Sequence, residues 1–221
     1  GRLREAFANA ELGCKAFLAD SRLQEDLLRC YERDGWVEES LALRRQRFDD
    51  SPSVERYHQA LQAGAAAGRD VAALRDELQA VLQAREEAVI KQGSTRLRFL
   101  GRVNGPGAGQ RDVSLRAEVL CSEALWEAAL ALVQPPAYCR DGVLAYMARR
   151  LDQDHKAKRV ELLMRVLESE MCGSKSPYRR ELESVGEIAS LLEPAQRAAW
   201  LDQLRVEYKI KKNFVRDLPP S

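Results

Sequence analysis

Trp36-Val37-Glu38-Glu39-Ser40-Leu41-Ala42-Leu43 recurs in degenerate form as Leu125-Trp126-Glu127-Ala128-Ala129-Leu130-Ala131-Leu132. Each copy follows a short segment of helical periodicity and a break. A helix, a tight break and a second helix, met twice in one chain, is the pattern of helical hairpins stacked on their neighbours. The copies lie 89 residues apart, counted from Trp36 to Leu125, and a glycine-rich stretch divides them. The chain therefore reads as two related helical lobes.

Working outward from the first copy, residues 21–34 carry Leu23, Leu27, Leu28 and Tyr31 at helical spacing, and Gly35 ends them in the left-handed C-cap role. A helix through Val37, Leu41, Leu43 and Phe48 runs to Asp49-Asp50-Ser51-Pro52. Ser51 or Ser53 caps the next, which stops near Gly68, and Asp70 caps another bearing Val71, Leu74, Leu78 and Leu82. Upstream, residues 3–19 read as a helix marked by Leu3, Phe7, Leu12 and Phe17. Gln92-Gly93-Ser94, Gly101 and Asn104-Gly105-Pro106-Gly107-Ala108-Gly109 break the periodicity.

Around the second copy, segments 113–121 and 123–133 are helical until Pro135-Pro136, and 138–151 follows. Segment 155–172 sets Val160, Leu163, Met164, Leu167 and Met171 along one stripe. After Gly173-Ser174-Lys175-Ser176-Pro177 come 178–192, then a helix opened by Pro194 and continued as an amphipathic ending. The expectation is an all-α fold: an irregular right-handed α-α superhelix of about ten to eleven helices. Its parts are an N-terminal lobe over 1–91, a loop or linker over 92–112 and a C-terminal lobe over 113–221.

Composition agrees with this. Of the residues 45% are hydrophobic, 31% charged and only 6% aromatic, so residues that favour strands are sparse. Lys and Arg number 35 against 34 Asp and Glu, and no global field draws the chain to nucleic acid or an anionic membrane. Apolar runs are far shorter than the roughly 20 residues a bilayer span needs, and no secretory leader opens the chain. Cys14, Cys30, Cys121, Cys139 and Cys172 are widely spaced, with no Cys-x-x-Cys pair. They read as reduced, partly buried thiols of a cytoplasmic protein. The abrupt start at Gly1 reads as a fragment of a longer chain.

The interval Tyr31 to Gly35 to Pro52, with Leu27 in register, resembles one tetratricopeptide unit. Ser40, Arg44 and Arg47 depart from that family's preference for small or aromatic packing residues. The hairpin from Leu27 to Leu43, the copy at 125–132, the segment from Tyr178 through Trp200 and the ending Tyr208-Lys209-Ile210-Lys211-Lys212-Asn213-Phe214 together resemble the C-terminal helical region of bacterial SWIM-type zinc-finger proteins. That resemblance implies zinc ligands upstream, none within this chain, and a partner that is protein or nucleic acid.

Chemistry-bearing motifs are few. Gly105-Pro106-Gly107-Ala108-Gly109 lacks the Gly-Lys-Ser/Thr ending of a phosphate loop. His58 and His155 have no nucleophile or acid placed by motif, which leaves capping or solvent-facing roles. Glu38-Glu39, Asp49-Asp50 and Glu86-Glu87 read as solvated surface. No catalytic, cofactor-binding or metal-ligating residue is expected. The ending is different: Arg205, Lys209, Lys211, Lys212 and Arg216 interleave with Tyr208 and Phe214, offering phosphate contacts. Against this stands a capping helix whose Tyr208, Ile210 and Phe214 close the core while its lysines keep the end soluble. Arg96, Arg98, Arg102 and Arg111 form a second basic group. The expected function is a non-catalytic helical-repeat domain binding a protein or peptide on its concave face; nucleic-acid association through the basic residues is the alternative.

Overall fold

The computed structural model describes residues 5, 8–9, 12–13, 21–96, 109–173 and 176–220. Among these the chain is all-α, with eleven helices. Four lie in the first half: α1 (Ser21–Asp34), α2 (Val37–Asp50), α3 (Val54–Ala66) and α4 (Val71–Arg96). Seven follow: α5 (Ser114–Ser122), α6 (Trp126–Leu132), α7 (Asp141–Arg150), α8 (Lys156–Gly173), α9 (Arg179–Leu191), α10 (Pro194–Glu207) and α11 (Lys212–Asp217). One turn of 3₁₀ helix, Gln153–His155, leads into α8. No strand forms among the described residues; a lone parallel bridge joins Asp112 to Tyr138. The chain divides into two compact units, Gly1–Phe99 and Leu100–Ser221.

The sequence repeat is a repeat of backbone geometry. Gly35 has φ +75° and Ala124, at the matching position, has φ +57°. The next residue caps the following helix in nearly the same conformation, Trp36 at φ −87°, ψ 71° and Leu125 at φ −85°, ψ 61°. Its N–H reaches back across the corner: Trp36 to Tyr31 O at 2.8 Å and Leu125 to Leu120 O at 2.9 Å. This is the six-to-one closure of a Schellman motif, which satisfies a carbonyl the ending helix leaves orphaned. Gly68, φ +69°, makes a third corner of this kind, with Arg69 N–H bonded to Gly64 O at 2.9 Å. Burial repeats as well: Ser40 and Leu41 match Ala129 and Leu130, all four buried.

Capping fixes the helix starts. Ser53 Oγ accepts Arg56 N–H at 3.2 Å, and Asp70 Oδ1 accepts Ala72 N–H at 2.9 Å. Within the first unit α1 packs on α2, α2 on α3 and α3 on α4. Leu28, Phe48, Tyr57 and Leu78 are its most enclosed side chains. At the α3–α4 seam a Cβ on Gly64 would run into Cδ2 of Leu74. In the second unit α5 meets α6 and α7, α7 packs on α8, and α8 on α9. Its core runs through Leu144, Met147, Leu162, Leu163, Met171, Ile188, Leu201 and Phe214.

The structure departs from expectation in four places. Helix α4 continues through Gln92-Gly93-Ser94 to Arg96; a single glycine costs a helix about 1 kcal/mol, too little to end one of this length. In α8 the buried side extends beyond the expected stripe to Leu162 and Val166, because α7 and α9 cover it from two directions. The basic ending is not one helix, since it breaks at Tyr208 and restarts at Lys212. Ile210 is 87% exposed and closes no core. Arg98, Arg102 and Gly105 lie outside the described residues, as do Leu3, Phe7, Cys14 and Phe17.

Among the described residues beyond its chain neighbours, no atom stands within 4 Å of a Cβ built on Gly35, so Gly35→Ala carries only the left-handed strain and loses about 1 kcal/mol in urea unfolding. Ala124→Gly relieves the same strain and is expected to be neutral or stabilising by up to about 1 kcal/mol.

Candidate functional site

Several cations of this chain work on its own helix ends. Arg56 Nη1 donates to Arg47 O and Ser51 O, at 2.9 and 2.8 Å, where α2 stops. Arg165 Nη1 donates to Val133 O at 2.7 Å, beyond α6, and Arg159 Nε to Ala148 O at 3.0 Å, near the end of α7. Lys211 Nζ donates to Met171 O at 2.6 Å, in the last turn of α8. Each places positive charge against carbonyls at the negative end of a helix dipole.

The C-terminal edge follows from that arrangement. Lys211 also lies over the Tyr178 ring, 5.3 Å from its centroid. Tyr178 and Tyr208 both meet Phe214 edge-on, at 5.7 and 5.6 Å between centroids, and Asn213 Nδ2 donates to Ser176 Oγ at 3.2 Å. Burial, aided by Glu207, pushes the Tyr208 phenol up to about 12. The proposed anion contacts therefore divide. Lys211 is held by Met171 and Tyr178; Arg205 bonds Asp202 at 2.7 Å and Pro219 O at 2.6 Å; Arg216 pairs with Asp217 at 2.8 Å. Lys209 and Lys212 are exposed. Arg96 closes α4, and Arg98 is outside the described residues. Sequence reasoning passed over Arg179 and Arg180, which are exposed and follow directly on Tyr178; only the fold brings their turn beside the C-terminal one.

Two grooves flank α2. The first, about 350 Å³, has Leu41 and Leu74 in its floor. Two ion pairs cross it, Arg69 to Glu38 at 2.9 Å and Arg45 to Glu77 at 2.7 Å. The second, about 310 Å³, lies between the end of α1, α2 and α3, and Val37, Ser40, Gln59, Gln62, Ala63 and Ala66 line it. Its rim carries the Arg44–Glu32 pair. A further pair, Arg47 to Glu25 at 2.8 Å, ties α2 to α1. Arg44 and Arg47, out of place in a tetratricopeptide unit, thus serve as inter-helix links.

Titratable groups show what the protein's chemistry is. Burial pushes the Cys121 thiol up to about 11 and the Cys139 thiol up to about 12, so neither is a nucleophilic thiolate at neutral pH. Cys30, Cys121, Cys139 and Cys172 are unpaired thiols, the last exposed. Ser114 Oγ donates to Asp112 Oδ1 at 2.6 Å and accepts Arg140 N–H at 2.9 Å, a capping link with no histidine in it. Glu86 is buried, contrary to the solvated role expected of it. His155 sits between two acids, Nδ1 at 2.6 Å from Asp152 and Nε2 at 2.8 Å from Glu127. Those hydrogen bonds, Asp152 first, raise its pKa, and the same bond lowers that of Asp152. Among the described residues no group of three or more His, Cys, Asp and Glu side chains is placed to hold a metal ion, and no helix is long and apolar enough to cross a membrane.

No protein-family model, curated protein or solved structure matches this chain.

Two outcomes follow from the polar links. Lys211→Gln removes a charged hydrogen bond and a cation–π contact and is expected to cost about 1 to 2 kcal/mol in chemical denaturation, whereas Lys209→Gln and Lys212→Gln stay within about 0.5 kcal/mol. The His155 clasp needs a protonated imidazole and ionised acids. Its contribution is complete between the ordinary carboxylate and imidazole ranges, about pH 4 to 6.5. It declines as pH rises through the raised His155 pKa and as pH falls through the lowered Asp152 pKa. NMR titration of His155 is expected to give a midpoint above the free-imidazole value, and one at or below it would refute the clasp.

Proposed function

We propose that this chain is a non-catalytic interaction domain, a tetratricopeptide-like superhelix that holds a protein or peptide segment. The observation that carries the reading is the second groove, between α1, α2 and α3. Alanine and valine side chains give it apolar surface, while Gln59 and Gln62 add carboxamides that both donate and accept. That combination suits an extended chain, whose main-chain N–H and C=O groups need partners and whose side chains need apolar contact. Packing of α1 on α2, α2 on α3 and α3 on α4 supports the superhelical part of the proposal. The likeness to the helical region of SWIM-type zinc-finger proteins is part of the same proposal. It would make this domain the partner-binding portion of such a protein.

Selection of binders from a random peptide display library, followed by titration against a groove-filled variant, tests the reading. Ala66 is exposed, so Ala66→Trp fills the groove without disturbing the core. Selected peptides are expected to lose at least about tenfold in affinity for that variant, the usual scale for blocking a central contact. Equal binding to both proteins would refute the groove as the site.

A further inference from the structure

We infer that the edge built from residues 176–180 and 208–213 is a contact surface for the sugar-phosphate backbone of a nucleic acid, bound through charge and not through base stacking. This goes beyond the peptide groove, which lies in the other unit and is independent of it. Two segments far apart in sequence are fastened together here. Asn213 bonds Ser176, Lys211 reaches Met171 O and covers Tyr178, and Phe214 meets both tyrosine rings steeply inclined. The fastening consumes Lys211 and leaves Arg179 and Arg180 exposed on one segment, Lys209 and Lys212 on the other.

The same contacts decide the kind of anion. Base stacking needs an accessible aromatic face. Tyr178 has Lys211 over its face, and both tyrosines are half-buried. Recognition therefore rests on phosphates, whose contacts are sequence-independent. Exposed Glu183 and Glu207 flank the cations, so the positive surface is a narrow strip. A strip fits the backbone of a duplex, whereas a planar anionic bilayer would meet the flanking acids as well. Ile210 is the one large apolar side chain at the tip of the second turn, less apolar surface than stable adsorption to a bilayer requires.

The test is fluorescence anisotropy of a short labelled DNA duplex with the whole chain, from about 50 to about 200 mM salt. Four phosphate contacts predict a slope of about −3.5 in log affinity against log salt. Changing Arg179, Arg180, Lys209 and Lys212 together to Gln is expected to weaken binding at least about tenfold at the lowest salt and to flatten the slope by about 3 or more. A control with Arg29, Arg85, Lys158 and Arg197 changed to Gln, all exposed, removes equal charge elsewhere and is expected to stay within about threefold of the parent. Thermal melts establish that both variants fold, and the parent's own salt slope tests the proposal without them. The inference is overturned by no binding at about 50 mM salt, by equal loss in both variants, or by a single strand bound far more tightly than the duplex. Binding only to phosphatidylserine-containing vesicles, lost in Ile210→Ser, would overturn it in favour of a bilayer.

Discussion

The fold depends on a single backbone event: one residue entering the left-handed region between consecutive helices, so that the next N–H can bond a carbonyl five residues back along the corner. Gly35, Gly68 and Ala124 each do this. The bond satisfies the ending helix and at the same moment sets the direction of the next. Helices of this length are marginal alone in water, so a corner that folds each one back onto its predecessor is what lets them bury apolar faces at all. Ala124 shows how strong the requirement is. A residue with a Cβ takes the strained conformation because the seams on either side, closed by Cys121, Ala129 and Leu130, over-determine it.

A second constraint follows from ending so many helices so closely. Each end leaves carbonyls without intrahelical partners, and the chain answers with Arg56, Arg159, Arg165 and Lys211. Its near-neutral charge thus conceals an internal division of labour. Some cations complete helix ends, others link helices, as Arg44 and Arg47 do, and others again face water without such a role. Only the last group is available to a partner, so a count of basic residues in a sequence segment overstates the surface that an anion meets.

Much of the architecture was legible beforehand. Gly35, Ser53 and Asp70 announce their caps by residue type alone, and the boundaries of α1, α3 and α9 fall where apolar periodicity and turn residues place them. Legibility failed where a decision belonged to tertiary structure. A helix tolerates Gly93 when its surroundings favour continuing, and α8 widens its buried face because two neighbours claim it. Of the candidate site, Lys209 and Lys212 could be read as exposed cations, but the capture of Lys211 by Met171 O could not, because that carbonyl is forty residues away. The Asp152–His155–Glu127 contact was invisible for the same reason: its third member comes from another helix. Only the pairing of neighbouring turns in space reveals Arg179 and Arg180.

The interchange of Gly35 and Ala124 at equivalent corners bears on inheritance. A corner that demands a dihedral angle, not a particular side chain, accepts glycine at no strain and alanine at a tolerable one. The seams between helices ask only for apolar volume at the right spacing. An architecture with such loose demands leaves most of its positions free to drift, so descendants of one hairpin can keep their shape long after their letters have ceased to agree. The two copies within this chain are matched in backbone angles and in burial, yet agree at only four of eight positions.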